Sequence, residues 1–261
     1  MTDFETLGWE RAGAVVRITL NRPDAANGMN DVLAGELAAA AARCDHDPSI
    51  RAVVLTGSGR FFSAGGDLRA MGTQDGPVGG FVKGIADDLH RATSTFARMD
   101  APLVVAVNGV AAGAGFSLAV SGDLVLAAAS ASFTMAYTRA GLSPDGGATY
   151  HLPRLIGLRR TQELILTNRT LSADEAAAWG LVTRVVPDDE LAEAATELAG
   201  QLATGSAAAH GTVKRLLLAS FGSGLEEQME LEGRGIAARA GSADGQEGIR
   251  AFLEKRRPVF G

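Results

Sequence analysis

Short apolar runs alternate with glycine-rich turns over most of the chain. Ala14–Leu20 and Ala52–Thr56 have the composition of β-strands, and the fully apolar run Leu103–Val107 is typical of a strand buried on both faces. Leu124–Ala127 and Ser132–Met135 continue the pattern. We therefore predict that these segments form a sheet inside the protein.

Other segments follow the helical period instead. Asp31–Arg43 is rich in alanine and predicts a helix, with Asn30 or Asp31 as its cap. Phe81–Arg98 predicts a long amphipathic helix. Ser172–Glu175 has the spacing of a capping box, which predicts a helix that ends near Trp179.

Two units of the chain resemble each other. In the first, the strand Ala52–Thr56 leads into the turn Ser63–Asp67, and in the second Leu103–Val107 leads into Gly113–Gly115. Each unit is an apolar strand, a glycine-rich turn and the start of a helix. We interpret them as successive turns of one ββα spiral, not as a repeat array.

The character of the sequence changes after a last predicted strand, Leu181–Val186. Only helical periodicity follows, over residues 188–204, 207–220, 225–240 and 245–256. A helical region attached to an α/β body often packs against another surface. We therefore divide the chain into a catalytic core, 1–198, and a C-terminal helical oligomerisation region, 199–261, with a soft boundary between 195 and 205.

Composition limits the partners and the compartment. The 261-residue chain has a net charge of -6, which disfavours nucleic acid or an anionic membrane as its main partner. One cysteine, Cys44, allows no internal disulfide and favours a cytoplasmic setting. Ala101–Gly122 lacks charge and is long enough to span a membrane, but Pro102, Asn108 and Gly113 divide it into a strand, a turn and a short helix.

The two glycine-rich turns are the first candidates for chemistry. Glycine lets a ligand approach the backbone, and a helix that begins after such a turn points free N–H groups outward. Two neighbouring turns could therefore supply two donors to one oxyanion. The alternative is that the glycines only permit tight packing. A dinucleotide site is disfavoured because Leu118 stands where a third small residue is required, and no Walker-type lysine follows either turn.

Asp145 is the second candidate. It lies in the Pro- and Gly-rich loop Gly141–Gly147, where it could cap the following helix or act as an acid/base carboxylate. Leu142 and Ala148–Tyr150 flank it and could exclude water. Tyr137 could line a pocket or donate a hydrogen bond, although an aromatic side chain in the core is the equally simple alternative.

The remaining polar residues form no recognisable catalytic set. A lone histidine in a helix is more often a surface or core residue than a catalyst, which applies first to His90 and then to His151 and His210. Ser117 and Ser143 lack a Ser-His-Asp arrangement. No cluster has metal-ligand spacing, so we predict no metal.

Several of these segments, in this order, match a known pattern over essentially the whole chain. The matching segments are Asn21–Pro23 with Asn27–Asn30, Phe61–Leu68, Val107–Gly115, Gly141–Gly147 and Ser172–Leu181. The chain resembles the enoyl-CoA hydratase/isomerase (crotonase) superfamily. The resemblance implies a ββα-spiral core and C-terminal helices that build trimers, often paired into hexamers. It implies an acyl-CoA substrate and no other cofactor.

The resemblance also implies roles for individual residues. It assigns the oxyanion hole for the thioester carbonyl to the N–H groups of Gly66 and Ala114. The residues implied to lie near CoA are Arg22, Phe62, Ala64 and Leu68, and Phe260, which would reach the CoA of a neighbouring subunit.

Departures from the pattern are equally informative. Hydratases of this family hold water between two glutamates, and the matching positions here are Ser117 and Tyr137. The setting of Asp145 resembles the ring-1,2-epoxyphenylacetyl-CoA isomerase branch and related double-bond isomerases, in which an aspartate is the acid/base group. A dehalogenase branch uses such an aspartate as a nucleophile but has tryptophan at the position of Tyr137.

These observations predict an acyl-CoA isomerase that uses Asp145 as acid/base. Two alternatives stay open: an enoyl-CoA hydratase with an unusual water-activating set, and a trimer that binds acyl-CoA without catalysis. We expect the acyl pocket to involve residues 72–90.

Overall fold

The computed structural model describes residues 4–261, so the first three residues of the predicted core lie outside the described part. The strands form two sheets. In chain order they are β1 (Leu7–Ala12), β2 (Val15–Leu20), β3 (Ala52–Gly57), β4 (Phe61–Ser63), β5 (Leu103–Val107), β6 (Val110–Ala112), β7 (Leu124–Ala128), β8 (Ser132–Thr134), β9 (Leu171–Ser172) and β10 (Arg184–Val186).

Helices connect these strands and form the C-terminal part of the chain. In order they are α1 (Asp31–His46), α2 (Leu68–Thr73), α3 (Val78–Arg98), α4 (Ala114–Ala119), α5 (Ala148–Thr167), α6 (Ala173–Trp179), α7 (Leu191–Ala203), α8 (Ala207–Ser220), α9 (Leu225–Ala240) and α10 (Ala243–Leu253). Short 3-10 turns occupy Pro23–Ala25, Tyr137–Ala140 and Asp188–Glu190.

The predicted spiral is confirmed by the strand order. The larger sheet runs β1-β2-β3-β5-β7-β10 and the smaller one β4-β6-β8-β9. Each successive strand pair, β3 with β4, β5 with β6 and β7 with β8, places its first strand in the larger sheet and its second in the smaller. From β2 onward the larger sheet is parallel. Parallel strands need both faces covered, and β5 is indeed buried at every residue.

Side-chain chemistry explains most element boundaries. The Asn30 side chain accepts a hydrogen bond from Leu33 N–H at 2.9 Å and so begins α1 as predicted. The predicted capping box is present, because Glu175 N–H donates to Ser172 Oγ and Ser172 N–H donates back to Glu175. Caps satisfy backbone groups that the first turn of a helix leaves free.

The structure corrects several predicted elements. Gly13 and Ala14 form the turn of a hairpin whose first strand, β1, was not predicted and includes Arg11 and Ala12. The last strand begins only at Arg184. The helix expected after Asp145, α5, was given no extent, because Pro153 and a kink at Gly157, with φ of 79°, interrupt its pattern.

The helical C-terminal region begins later than the predicted division at 198/199. That division falls inside α7, which packs against β3, β5 and β7. Leu191, Ala195 and Ala199 are buried on one face of α7. The core therefore ends after Ala203, within the soft boundary, and α8, α9 and α10 form the peripheral part.

The uncharged segment 101–122 forms the predicted strand β5 and short helix α4, but a second strand, β6, lies between them where only a turn was predicted. Within residues 4–261, no helix has both the length and the hydropathy needed to cross a bilayer.

Lys214 connects the peripheral helices to the core through buried hydrogen bonds and an ion pair. Its buried ammonium donates to the carbonyls of Phe96 at 2.7 Å and Ala101 at 3.1 Å, and pairs with Asp123 at 2.7 Å. Burial lowers the pKa of Lys214, while the Asp123 carboxylate opposes that shift. The interaction joins α8 to the end of α3 and to the start of the β5 and β7 strands.

We expect Lys214→Met to destabilise the fold by about 3 kcal/mol, because it leaves buried acceptors unpaired. Urea unfolding would measure the change. The matched control is Arg215→Met, which removes a half-exposed pair with Asp100 and should cost about 1 kcal/mol or less. Equal effects of the two substitutions would contradict an anchoring role for Lys214.

Candidate active site

The two glycine-rich turns lie against each other. A Cβ atom on Gly65, whose φ is +93°, would lie 2.7 Å from the Ala112 carbonyl oxygen and 3.2 Å from Ala114 N. A Cβ atom on Gly115 would lie 2.3 Å from the Ser63 carbonyl oxygen. Side chains cannot be accommodated at such distances, so glycine at both positions allows the turns to meet.

Each turn presents an N–H group that no acceptor within residues 4–261 occupies. Gly66 forms a parallel bridge with Met29, in which Gly65 C=O and Asp67 N–H make the hydrogen bonds. The N–H of Gly66 itself therefore points to the opposite side. Ala114 is the first residue of α4, where the N–H has no partner in the helix. Both residues line the same cavity.

This cavity has a volume of about 380 Å³ and mostly apolar walls. Its α3 wall is mostly aliphatic, with Val82, Ile85 and Leu89, and also includes Lys83. Six predicted site residues also line the cavity: Ala64, Gly66, Leu68, Ala114, Tyr137 and Asp145. The structure thus brings six predicted site residues together around one apolar space, with α3 where the acyl pocket was expected.

Asp145 brings a carboxylate to this apolar cavity. The Tyr137 hydroxyl donates a hydrogen bond of 2.6 Å to Asp145 Oδ1. Tyr137 Oη also lies 3.0 Å from Ser117 Oγ, which is fully buried. Burial, together with the negative charge of Asp145, raises the pKa of Tyr137 far above its usual value. The phenol therefore keeps its proton at any ordinary pH.

Asp145 does not cap α5. The cap position belongs to Gly147, and no side chain accepts a hydrogen bond there. The loop is instead held through Gly146, whose N–H donates to His90 Nε2 at 3.1 Å. His90 thus supports the loop through its acceptor nitrogen, a contact that the sequence did not indicate. The two residues lie 56 positions apart, so no local sequence pattern could have indicated this contact.

The predicted CoA-binding residues outside the cavity have other neighbours. Arg22 pairs with Asp67 at 2.9 Å and also donates to the Gly28 carbonyl. Burial alone would raise the pKa of Asp67, but hydrogen bonds from Ala70 N–H and Arg22 outweigh it and lower that pKa. The Phe62 side chain is fully buried in the core, which leaves only its backbone to meet a ligand.

Phe260 lies away from the cavity of its own chain. Its carbonyl accepts a hydrogen bond from Arg51 at 2.8 Å, just ahead of β3. Its predicted contact with a neighbouring subunit's CoA stays a prediction.

The two remaining histidines considered in the sequence do not line the cavity. Burial lowers the pKa of His151 and of His210, which favours the neutral imidazole in both. In the described part of the chain, no group of three or more His, Cys, Asp or Glu side chains is placed to hold a metal ion.

The chain belongs to the enoyl-CoA hydratase/isomerase family, whose model matches residues 10–261. Among curated relatives, the 1,2-epoxyphenylacetyl-CoA isomerase of Escherichia coli strain K12 is 41% identical, with 94% of each chain covered. A protein of Rhodobacter capsulatus described as a probable enoyl-CoA hydratase is 39% identical, with 98% of each covered.

Solved structures agree with the fold. An enoyl-CoA hydratase from Polaromonas sp. JS666 superposes with a TM-score of 0.92 at 32% identity, covering 98% of this chain and 99% of that one. The enoyl-CoA hydratase from Bacillus anthracis gives the same TM-score and identity. The crotonase-type α/β fold predicted from the sequence is therefore confirmed.

Proposed function

We propose that this acyl-CoA enzyme is an isomerase, which shifts a double bond or rearranges a ring in the acyl group through a thioester enolate. One observation carries the proposal: within residues 4–261 a single carboxylate, Asp145, faces an apolar cavity that also receives the free N–H groups of Gly66 and Ala114. A proton acceptor beside two oxyanion donors is the arrangement that proton abstraction next to a carbonyl requires.

The reaction would proceed in two proton transfers. The thioester oxygen accepts hydrogen bonds from Gly66 N–H and Ala114 N–H. Asp145 takes the α- or γ-proton, and the electrons of the C–H bond move onto the carbonyl oxygen as an enolate. Asp145 then returns the proton to another carbon and the carbonyl re-forms. Each oxyanion donor typically contributes about 3 kcal/mol.

The acyl group is expected to be uncharged. Apart from Lys83, the side chains of the α3 wall are aliphatic, and Lys83 is exposed and already paired with Asp87. An acyl group with a charged end would lose its hydration in this cavity without gaining a partner.

Enoyl-CoA hydration is the second candidate, because the Rhodobacter capsulatus relative has that description. The resemblance to hydratases would require two carboxylates at Ser117 and Tyr137, and neither side chain can act as one. Asp145 would then have to activate water alone. Acyl-CoA binding without turnover is the third possibility.

A mass-spectrometric assay in heavy water tests these possibilities together. The enzyme would be offered 2-enoyl- and 3-enoyl-CoA thioesters with apolar acyl chains. A shifted double bond or carbon-bound deuterium, without the mass of an added water, supports the isomerase. Gain of a water mass would make the protein a hydratase, and tight binding without any product would make it a binding protein.

The exposed apolar surface of the peripheral helices supports self-association as a trimer or a dimer of trimers. Several large apolar side chains there are more than half exposed, and apolar surface of this kind, where it is contiguous, marks an interaction site. They include Leu217, Phe221, Leu225, Ile236 and Phe252.

We expect Ile236→Asp to reduce the assembled mass in light scattering, because Ile236 is 72% exposed and a charge there opposes burial at an interface. The fold should tolerate it for the same reason. Glu232→Gln, one turn earlier on α9, is the control and should leave the mass unchanged. A wild-type mass for Ile236→Asp would argue against α9 as an interface helix.

A further inference from the structure

A chain of hydroxyl groups leads from the core behind the cavity wall to the Asp145 carboxylate. It runs from Ser117 on α4 through Tyr137 to Asp145. Ser117 is fully buried. A polar side chain at that depth usually has a specific hydrogen-bond partner, and here the partner is Tyr137.

The direction of this chain follows from the number of protons available. The phenol has one proton, and an ionised carboxylate can only accept, so Tyr137 donates to Asp145 Oδ1. The 3.0 Å contact between Tyr137 and Ser117 must then use the Ser117 proton. The competing acceptor, Gly113 C=O, lies farther away at 3.3 Å and already receives Ser117 N–H at 3.0 Å.

We propose that Ser117 and Tyr137 form a relay of two hydroxyl groups that positions the Asp145 carboxylate, with Oδ1 held and Oδ2 left free to carry the substrate proton. Within residues 4–261, Oδ2 has no hydrogen-bond partner. The proposal rests on the function proposed above. Tyr137 keeps its own proton throughout, so it is a positioning residue and transfers nothing.

The relay also couples the base to the oxyanion turn. Ser117 N–H bonds to the carbonyl of Gly113, the residue that precedes Ala114. The carboxylate and one oxyanion donor are therefore set by the same short segment of backbone. This fixes the carboxylate relative to the thioester carbonyl, and a misplacement of about 1 Å in such a site can cost about 100-fold in rate.

Removing the phenol hydroxyl tests the relay. We expect Tyr137→Phe to lower kcat about 100-fold while KM for the acyl-CoA stays within about twofold, because the carboxylate remains but loses its fixed orientation. Ser117→Ala should lower kcat by roughly tenfold or less, since it removes a more distant hydrogen bond. The protein also offers two matched controls.

Tyr150→Phe removes the hydroxyl of the chain's other tyrosine, which donates to the Leu218 carbonyl at 3.2 Å outside the cavity. Ser121→Ala removes a buried hydroxyl just after α4, which donates to the Leu118 carbonyl at 2.8 Å. Both controls should keep wild-type kcat. Thermal unfolding of all four variants would reveal any loss of fold.

Hydrogen exchange provides a readout that a purely structural role would not change. In heavy water, a fixed carboxylate returns much of the abstracted proton directly, whereas a freely rotating one exchanges it with solvent first. Tyr137→Phe should therefore raise the deuterium content of the product per turnover. Should Tyr137→Phe not fold, the same rise in Ser117→Ala supports the relay.

Wild-type kcat and deuterium content in Tyr137→Phe, with Asp145→Asn inactive, would overturn the relay and leave the proposed function intact. Full activity in Asp145→Asn would overturn both.

Discussion

Replacing Asp145 with asparagine should lower turnover by about two to four powers of ten, with little change in acyl-CoA affinity. Asparagine has nearly the same size, and its side-chain oxygen can still accept the Tyr137 hydroxyl. It cannot take a proton from carbon. The substitution should not unfold the protein, because Asp145 has no capping role at α5.

Steady-state kinetics and a direct acyl-CoA titration would separate the loss of turnover from any loss of binding. Asp174→Asn is a matched control, since Asp174 is an exposed aspartate in the first turn of α6. Turnover close to wild type for Asp145→Asn would remove Asp145 from the mechanism and leave the cavity without its proposed base.

Gly115→Ala should disrupt the other half of the site. Its Cβ would lie 2.3 Å from the Ser63 carbonyl oxygen and 2.6 Å from Ser63 Cβ, so α4 and the end of β4 would have to separate. A displacement of about 1 Å at Ala114 N–H is expected to cost about 100-fold in kcat. The strain should also destabilise the fold by about 1–3 kcal/mol.

Gly200→Ala is the control for this substitution. It lies inside α7, where an added Cβ would meet nothing within 4 Å, and alanine favours the helix. Activity and the unfolding midpoint should be measured on both variants. If Gly115→Ala kept wild-type activity and stability, the close contact of the two turns would not be what aligns the oxyanion donors.

The two predictions affect different parts of one reaction. In the proposed reaction Asp145 moves the proton, whereas Gly115 allows Ala114 N–H to reach the place where charge would develop. Loss of the base should leave acyl-CoA binding intact. A displaced oxyanion turn should weaken both binding and turnover, because in the proposed reaction the thioester oxygen also contacts that turn in the ground state.

The local sequence pattern was sufficient to predict those strands and helices that are specified by residues close together in the sequence. The apolar run at β5, the Asn30 cap of α1 and the Ser172 capping box are all encoded within a few residues. The family motifs likewise pointed to Asp145 and the two glycine-rich turns as candidates, because chemistry of this kind requires particular residue types at particular spacings. Where local signals conflicted, as in α5 with Pro153 and Gly157, the pattern failed.

The contacts between distant segments could be decided only by folding. His90 meets Gly146, the Gly65 turn packs on Ala112, and Ser117 reaches Asp145 through Tyr137. Each contact joins residues that the turns of the spiral bring together. The periodicity of the sequence does not show which distant residues become neighbours in this way. The sequence therefore determines which groups are available for chemistry, whereas the packing of the spiral determines which of them share one cavity and which hydrogen bonds orient them.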